Sequence, residues 1–221
     1  MIKSLLNKID QQWRKSWLYE RRPSAYFMIF VLCALVWLAP DEYPELLAVS
    51  VNNFLEGPSW RDLLSLITYQ FAHANFSHFA GNFFFATPFA LYAERKLGRR
   101  AFVNLWLASG IASALGFMIM GLATPGLIMA IALGAPCNLI GASGAICGVF
   151  TYACLSYNDK WWKVILGWAG LLYLMVPQFI MMGISTFEPT GIAFSGHCFG
   201  FIGALLWISC RRLQKVESKQ K

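Results

Sequence analysis

Six apolar segments, most of them long enough to cross a bilayer as a helix, constrain this chain more than any other feature. They run over residues 25–39, 76–93, 101–122, 141–157, 162–182 and 193–210. A membrane-spanning helix needs about 17–25 residues. The chain of 221 residues is 57% hydrophobic and 13% charged, whereas soluble domains carry roughly 25% charged residues. We therefore predict an all-α membrane protein, a single bundle of six transmembrane helices over residues 25–210.

Almost all basic residues lie in the connections that would fall on one side of a membrane. They fall in residues 1–24, 94–100, 157–163 and 211–221, and Arg61 is the one basic residue on the other side. The positive-inside rule then puts both termini in the cytoplasm. Contact with anionic lipid explains the net charge of +7, so we expect the lipid bilayer and not nucleic acid as a partner. Residues 1–24 are either an interfacial amphipathic helix or a basic flank, and residues 211–221 are a basic tail.

Two stretches on the outer side are not ordinary polar linkers. Residues 40–75 carry many large apolar side chains, so we predict a membrane-associated first outer loop that rests in the interface or packs on the bundle. Residues 123–140 carry no charge and are broken by glycine and proline. Non-helical backbone is tolerated at membrane depth only where protein or a wet cavity surrounds it. We predict a re-entrant loop that delivers Ser143 below the outer surface.

Ser143 and His197 are polar residues in apolar, small-residue surroundings. An ionisable group placed there is costly and indicates a functional site. A serine with a histidine is the minimum set for nucleophilic acyl transfer. The alternative is structural, because Gly141-x-Ser143-Gly144 and His197-x-x-Gly200 also suit close helix packing.

His78 and Asn82 lie four residues apart at the start of the second segment, so they share one helix face. Both side chains can donate hydrogen bonds. The pair could join neighbouring helices, as polar pairs do in membrane bundles. Beside a nucleophile it could instead stabilise an oxyanion.

Together these elements resemble the rhomboid intramembrane serine proteases in order and placement, over about residues 57–210 and in the bacterial six-helix form. The residues that carry the resemblance are Trp60-Arg61, His78-x-x-x-Asn82, Glu94 before Arg95-Lys96-Leu97-Gly98, Gly141-x-Ser143-Gly144 and His197-x-x-Gly200. The combined pattern is specific, although no single element is.

The resemblance implies that Ser143 is the nucleophile and His197 the general base. His78, Asn82 and the backbone at Ala142 and Ser143 would hold the oxyanion. Structural roles would fall to the remaining motif residues: Trp60 and Arg61 in the outer loop, Glu94 at the cytoplasmic end of the second segment, and Gly141, Gly144 and Gly200 in packing. The implied substrates are single-pass transmembrane proteins cleaved near the outer face of a bacterial inner membrane. We expect no cofactor and no metal.

The chain departs from the family where His197 is supported. An aromatic residue commonly stands four positions after the serine and lies against the histidine, but here the residue is Cys147. Glu188 is the only acid in the outer stretch before His197, so we predict a Ser-His dyad whose imidazole is oriented by packing. We expect His73 to pack within the loop and have no catalytic role.

The sequence leaves alternatives open for how a substrate reaches the site and for the activity itself. Residues 183–196 are a candidate cap loop. The fifth segment is a candidate lateral gate, although its Trp161 and Trp162 equally suit a lipid-facing surface.

A non-catalytic rhomboid-like protein that binds transmembrane helices is the main alternative to a protease. A small transporter is less consistent with the sequence, since no internal repeat is present.

Two cysteines, Cys147 and Cys198, flank the candidate catalytic residues. We therefore predict that thiol alkylation inhibits cleavage of a transmembrane substrate, because an added group would crowd Ser143 or His197. The check is activity before and after alkylation. Unchanged activity of fully alkylated protein would show that these thiols are inaccessible or remote from the site.

Overall fold

The described part of the chain is almost entirely helical. A computed structural model describes residues 24–39, 46–124, 128, 137–156, 160–185 and 193–220. Its helices are α1 (Ala25–Trp37), α2 (Val51–Glu56), α3 (Trp60–Thr68), α4 (Phe76–Leu97), α5 (Arg99–Ala123), α6 (Ser143–Leu155), α7 (Trp161–Ser185) and α8 (Phe194–Gln220). Two short strands, β1 (Val49–Ser50) and β2 (Asn138–Leu139), pair antiparallel. Residues 1–23 of the predicted basic or amphipathic segment 1–24 lie outside the described residues, as do most of the predicted re-entrant loop and the centre of the cap loop.

The all-α class is confirmed, and each predicted apolar segment coincides with a helix: α1 and α4 to α8. The largest difference is at the C-terminus, where α8 continues to Gln220 through residues that were predicted only as a basic tail. Leu, Gln, Lys, Glu and Arg have high helix propensities, so the helix persists after its apolar stretch has ended.

The count of membrane spans stays a prediction. Within the described residues, two helices are long and apolar enough to cross a membrane, Arg99–Ala123 and Trp161–Ile184. Helices α1 and α6 are apolar but have only 13 residues each. The brevity of α6 has a physical reason. Most of its side chains are buried against other helices, so protein and not lipid surrounds this short helix.

Helices α5, α6 and α8 form the centre of the bundle and approach each other through glycines. A Cβ at Gly200 of α8 would overlap the backbone carbonyl of Gly144 in α6. One turn further on, a Cβ at Gly148 would overlap the side chain of Ser109 in α5. Small residues at helix contacts allow backbones in a membrane bundle to approach closely. The predicted packing role of Gly144 and Gly200 agrees with this geometry.

The first outer loop packs on the bundle and holds the chain that leads into α6. Val49 pairs with Leu139, and the amide of Val51 donates to the carbonyl of Cys137 at 3.0 Å. Tyr69, in a single 3₁₀ turn after α3, is fully buried and donates its hydroxyl to the carbonyl of Gly110 in α5 at 2.8 Å. Packing of this loop on the bundle was one of the two predicted placements.

Three of the predicted structural residues lie away from Ser143. Glu94, near the end of α4, accepts hydrogen bonds from the Ser24 hydroxyl and from the amide of Ala25 at 2.7 Å, so it caps the start of α1. Trp60 and Arg61 are exposed, and the guanidinium lies 5.5 Å from the indole centroid.

The hydrogen bonds that brace this part of the loop come instead from Asp62, which accepts from the amide and hydroxyl of Ser59 and from the Asn53 amide. These bonds, those to Ser59 foremost, lower the pKa of the Asp62 carboxyl. Bracing by Trp60 and Arg61 stays a prediction.

The glycine contact between α6 and α8 predicts a large effect of one methyl group. Gly200→Ala should destabilise the protein by about 1–3 kcal/mol or more, because the clash is with backbone that cannot move aside. Gly81→Ala is the matched control. It is also a helical glycine, but a Cβ there meets nothing within 4 Å, so helix propensity should make it neutral or stabilising by about 1 kcal/mol. Unfolding in mixed detergent micelles measures both, and equal stability of the two variants would contradict the packing described.

Candidate active site

Ser143 is the first residue of α6, and the backbone before it fixes its position. Gly141 has φ +111°, a conformation that side-chain-bearing residues rarely adopt. Its amide donates to the carbonyl of Tyr69 at 3.0 Å, which ties the turn to the outer loop. Ala142 is fully buried. The chain therefore turns sharply into α6 and leaves the Ser143 side chain only partly buried.

His197 lies in the first turn of α8 and reaches Ser143 across the glycine contact. Its Nε2 is 2.8 Å from the Oγ of Ser143. The two residues are more than fifty positions apart, and their helices meet at Gly144 and Gly200, each within one turn of the pair. The sequence predicted this partnership, and the structure brings the two side chains to hydrogen-bonding distance.

The residue that supports His197 was not found by sequence reasoning. The Oε1 of Gln178, on α7, lies 2.8 Å from the Nδ1 of His197. The ring of Phe194 meets the imidazole nearly edge-on, with centroids 6.2 Å apart. The prediction that packing orients the imidazole was therefore incomplete, because His197 also donates a hydrogen bond to a side chain of a third helix. The sequence did contain a feature that could have indicated this role, because Gln178 is the one carboxamide in an apolar helix and directly follows Pro177.

The two hydrogen bonds of His197 determine where its proton resides. A carboxamide oxygen only accepts, so Nδ1 must carry the proton that it donates to Gln178. In a neutral imidazole Nε2 then has a free lone pair. The hydroxyl of Ser143 donates to that lone pair. This arrangement can move a proton from Ser143 to His197, which is the first requirement of a serine nucleophile.

Gly141 also brings α4 against the turn before Ser143. A Cβ on Gly141 would lie 2.6 Å from Cε1 and 2.8 Å from Nε2 of His78, and 3.7 Å from Nδ2 of Asn82. The absence of a side chain at Gly141 thus lets both polar residues approach the backbone that leads into α6. The predicted pair therefore lies beside the serine, where hydrogen-bond donors are needed for an oxyanion.

His73 has a more specific contact than the loop packing predicted for it. It is buried, and its Nε2 lies 3.1 Å from Nδ2 of Asn82. Because an amide nitrogen only donates, Nε2 of His73 accepts, and one amide hydrogen of Asn82 stays available. Burial foremost, and then the neighbouring His78 ring, lowers the pKa of His73 to about 4. A neutral His73 thus fixes the orientation of the Asn82 side chain.

A cavity of about 160 Å³ lies beside the serine and histidine, between α4, α6, α7 and α8. Cys147, the residue in place of the usual aromatic, lines this cavity and does not fill it. The other lining residues are Asn82, Phe85, Ser143, Ile146, Leu174, Gln178, His197 and Phe201. A pocket that combines an apolar wall with a few convergent polar groups is typical of a substrate site.

The lowered pKa of His73 predicts a pH-dependent contribution to stability. Above about pH 6.5 the residue is neutral whether folded or unfolded, so the contribution is complete. As the pH falls toward 4 the unfolded chain binds a proton and the folded chain does not, so stability is lost. We expect wild type to lose about 2 kcal/mol more than His73→Gln between pH 7 and pH 5. Glutamine keeps an acceptor for Asn82 but does not titrate. Unfolding in mixed micelles at both pH values measures this, and parallel losses would contradict it.

Comparison with known proteins identifies the family of this helical chain. The family model of the rhomboid domain matches residues 59–213, which include every helix from α4 to α7 and most of α8. The chain is also 24% identical over 181 residues to "Rhomboid-like protein 11, chloroplastic" of Arabidopsis thaliana. That alignment covers 82% of the chain and 58% of the relative, so the chain spans less than two thirds of that protein's length. The chain belongs to the rhomboid family of integral membrane proteins.

Proposed function

We propose that this protein is an intramembrane serine endopeptidase that cleaves single-span transmembrane proteins near the outer membrane face. One observation carries the proposal: the 2.8 Å contact between Ser143 Oγ and Nε2 of His197. The proton on Nδ1 points to Gln178, so the histidine is ready to act as a base. Membership of the rhomboid family supports the same reaction class.

Acylation would begin as His197 removes the hydroxyl proton of Ser143 and Oγ attacks the carbonyl carbon of the scissile peptide bond. The carbonyl oxygen then becomes negatively charged. The donors around it are His78, Asn82 and the free backbone amides at the start of α6. When the tetrahedral intermediate collapses, His197 gives its proton to the leaving amine and an acyl-enzyme remains. Water activated by the same histidine completes hydrolysis.

The position of Ser143 suits chemistry near the outer face of a membrane. His78 and His197 lie in the first turns of α4 and α8 on the side of Ser143, whereas Arg95 and Arg211 lie toward the opposite ends of the same two helices. The positive-inside rule would make that end cytoplasmic. We infer a multi-pass protein of the inner-membrane type with both termini in the cytoplasm, in which residues 25–210 form the protease core.

A substrate helix would reach the serine from the side. The cavity beside Ser143 is bordered by Phe85 of α4 and Leu174 of α7. Much of α7 is exposed, including Trp168 and Phe179, so lipid is its natural neighbour. We infer that substrate passes between α4 and α7. Because intrahelical hydrogen bonds shield a scissile amide, the substrate must unwind locally within the cavity.

The name of the Arabidopsis relative says only that it is rhomboid-like. A non-catalytic protein that binds transmembrane helices is therefore the competing function. The intact contact between Ser143 and His197 favours the protease, since a binding protein has no need of an activated serine. A fluorophosphonate probe separates the two, because it labels a serine only when a base activates it.

We predict that Ser143→Ala and His197→Ala each reduce cleavage of a model single-span substrate by at least about 10³-fold. Loss of either residue removes the nucleophile or the base, and neither is replaceable by the other. Purified protein in detergent, incubated with substrate and followed by mass analysis of the products, measures this.

Ser156→Ala is the matched control. Ser156 lies at the other end of α6, where its hydroxyl donates to the Ala153 carbonyl at 3.0 Å. This variant should cleave like wild type. Wild-type cleavage by Ser143→Ala or His197→Ala would refute the mechanism. Failure of folded wild-type protein both to cleave and to react with the probe would favour the binding function.

A further inference from the structure

We propose that Gln178 is a positioning residue that completes the Ser143–His197 pair as its third member. It holds His197 in the tautomer whose Nε2 accepts from Ser143. This inference rests on the proposed function, and it assigns to an uncharged residue the place that an aspartate occupies in a serine-protease triad.

Two hydrogen bonds connect the three side chains in the order Ser143, His197, Gln178. Ser143 Oγ lies 2.8 Å from Nε2 of His197, and Nδ1 of the same ring lies 2.8 Å from Oε1 of Gln178. Each residue comes from a different helix: α6, α8 and α7. Without an acceptor at Nδ1, the buried N–H would lose a hydrogen bond, and the proton would favour Nε2. Nε2 could then no longer act as a base.

The placement of Gln178 on α7 follows from the way that helix packs. Gly167 and Leu171 lie on the face of α7 that meets α6, where a Cβ on Gly167 would overlap the Cys154 carbonyl and Leu171 is buried. Leu174 and Gln178 continue that face at helical spacing, and both line the cavity beside Ser143. Gln178 therefore points into the bundle, while its neighbours Phe179 and Ile180 are exposed.

Pro177, the residue before Gln178, links the position of Gln178 to substrate access. Pro177 lies within α7 and has no amide hydrogen to donate to the carbonyl of Tyr173. Helices bend most readily at such a point. The outer part of α7 carries Gln178 and borders the proposed access route. An outward displacement of this part would separate Oε1 from His197, so the site is aligned only while α7 is in place.

The direct test is spectroscopic and does not require activity. The chain has three histidines, His73, His78 and His197, so ¹⁵N-histidine labelling gives a small set of imidazole signals. The His197 signals are assigned from their absence in His197→Ala. We expect wild type to show a protonated Nδ1 and a bare Nε2, and Gln178→Met to show loss of this pattern. A bare Nδ1 in wild type, or an unchanged pattern in Gln178→Met, would overturn the proposal.

The kinetic test compares three variants in the full chain. Gln178→Met keeps the size of the side chain but has no acceptor, and kcat should fall about 10- to 100-fold with little change in KM. Gln178→Glu keeps an acceptor oxygen and should stay within about 10-fold of wild type. Leu172→Met is the matched control, because Leu172 lies on the exposed face of the same helix and does not line the cavity, and it should leave kcat unchanged.

The fluorophosphonate probe distinguishes positioning from an effect on substrate access. The probe is small, so its reaction with Ser143 does not require passage of a helix between α4 and α7. Labelling should slow in Gln178→Met by about the same factor as kcat. Slower cleavage with normal labelling, or failure of Gln178→Glu to restore activity to a folded protein, would overturn the proposal. Absence of labelling in wild type with the expected tautomer intact would instead count against the protease function.

Discussion

The close contact between α6 and α8 is the interaction on which the rest of the site depends. The two backbones approach because Gly144 and Gly200 have no side chains at the point where the helices meet. Ser143 and His197 lie within one turn of that point, so the helix separation sets the distance between Oγ and Nε2. The 2.8 Å hydrogen bond between these residues, which are distant in sequence, therefore depends on how closely the two helices pack.

Around this contact, the first outer loop fixes the direction from which the chain reaches Ser143. The loop is anchored in the bundle by Tyr69, which donates to α5 and accepts from Gly141. The turn at Gly141 then serves two purposes. It directs the chain into α6, and its missing side chain admits His78 and Asn82. The same backbone conformation thus starts the helix and assembles the groups around the serine.

Within the described part of the chain, neutral side chains hold the polar residues of the site. His73 accepts from Asn82, and Gln178 accepts from His197. A carboxylate in place of either acceptor would fix the same orientation, but it would carry a charge into apolar surroundings at a cost in stability. Neutral acceptors fix the same orientations without that cost. This explains how a serine and a histidine can be aligned although the sequence offers no acidic residue beside them.

The sequence alone determined the helical class, the positions of the six apolar helices, and four polar residues that the fold brings together: Ser143, His197, His78 and Asn82. These features depend on local composition and on motif spacing, which the chain carries in order. It did not determine the pairing of β1 with β2, the continuation of α8 to Gln220 as helix, or the partners of His73 and His197.

Those partners depend on which faces of separate helices meet, and only the tertiary structure decides that. Gln178 illustrates the limit. The sequence shows only that an apolar helix contains a carboxamide side chain at this position. The packing of α7 against α6 and α8 is what brings its oxygen to Nδ1 of His197.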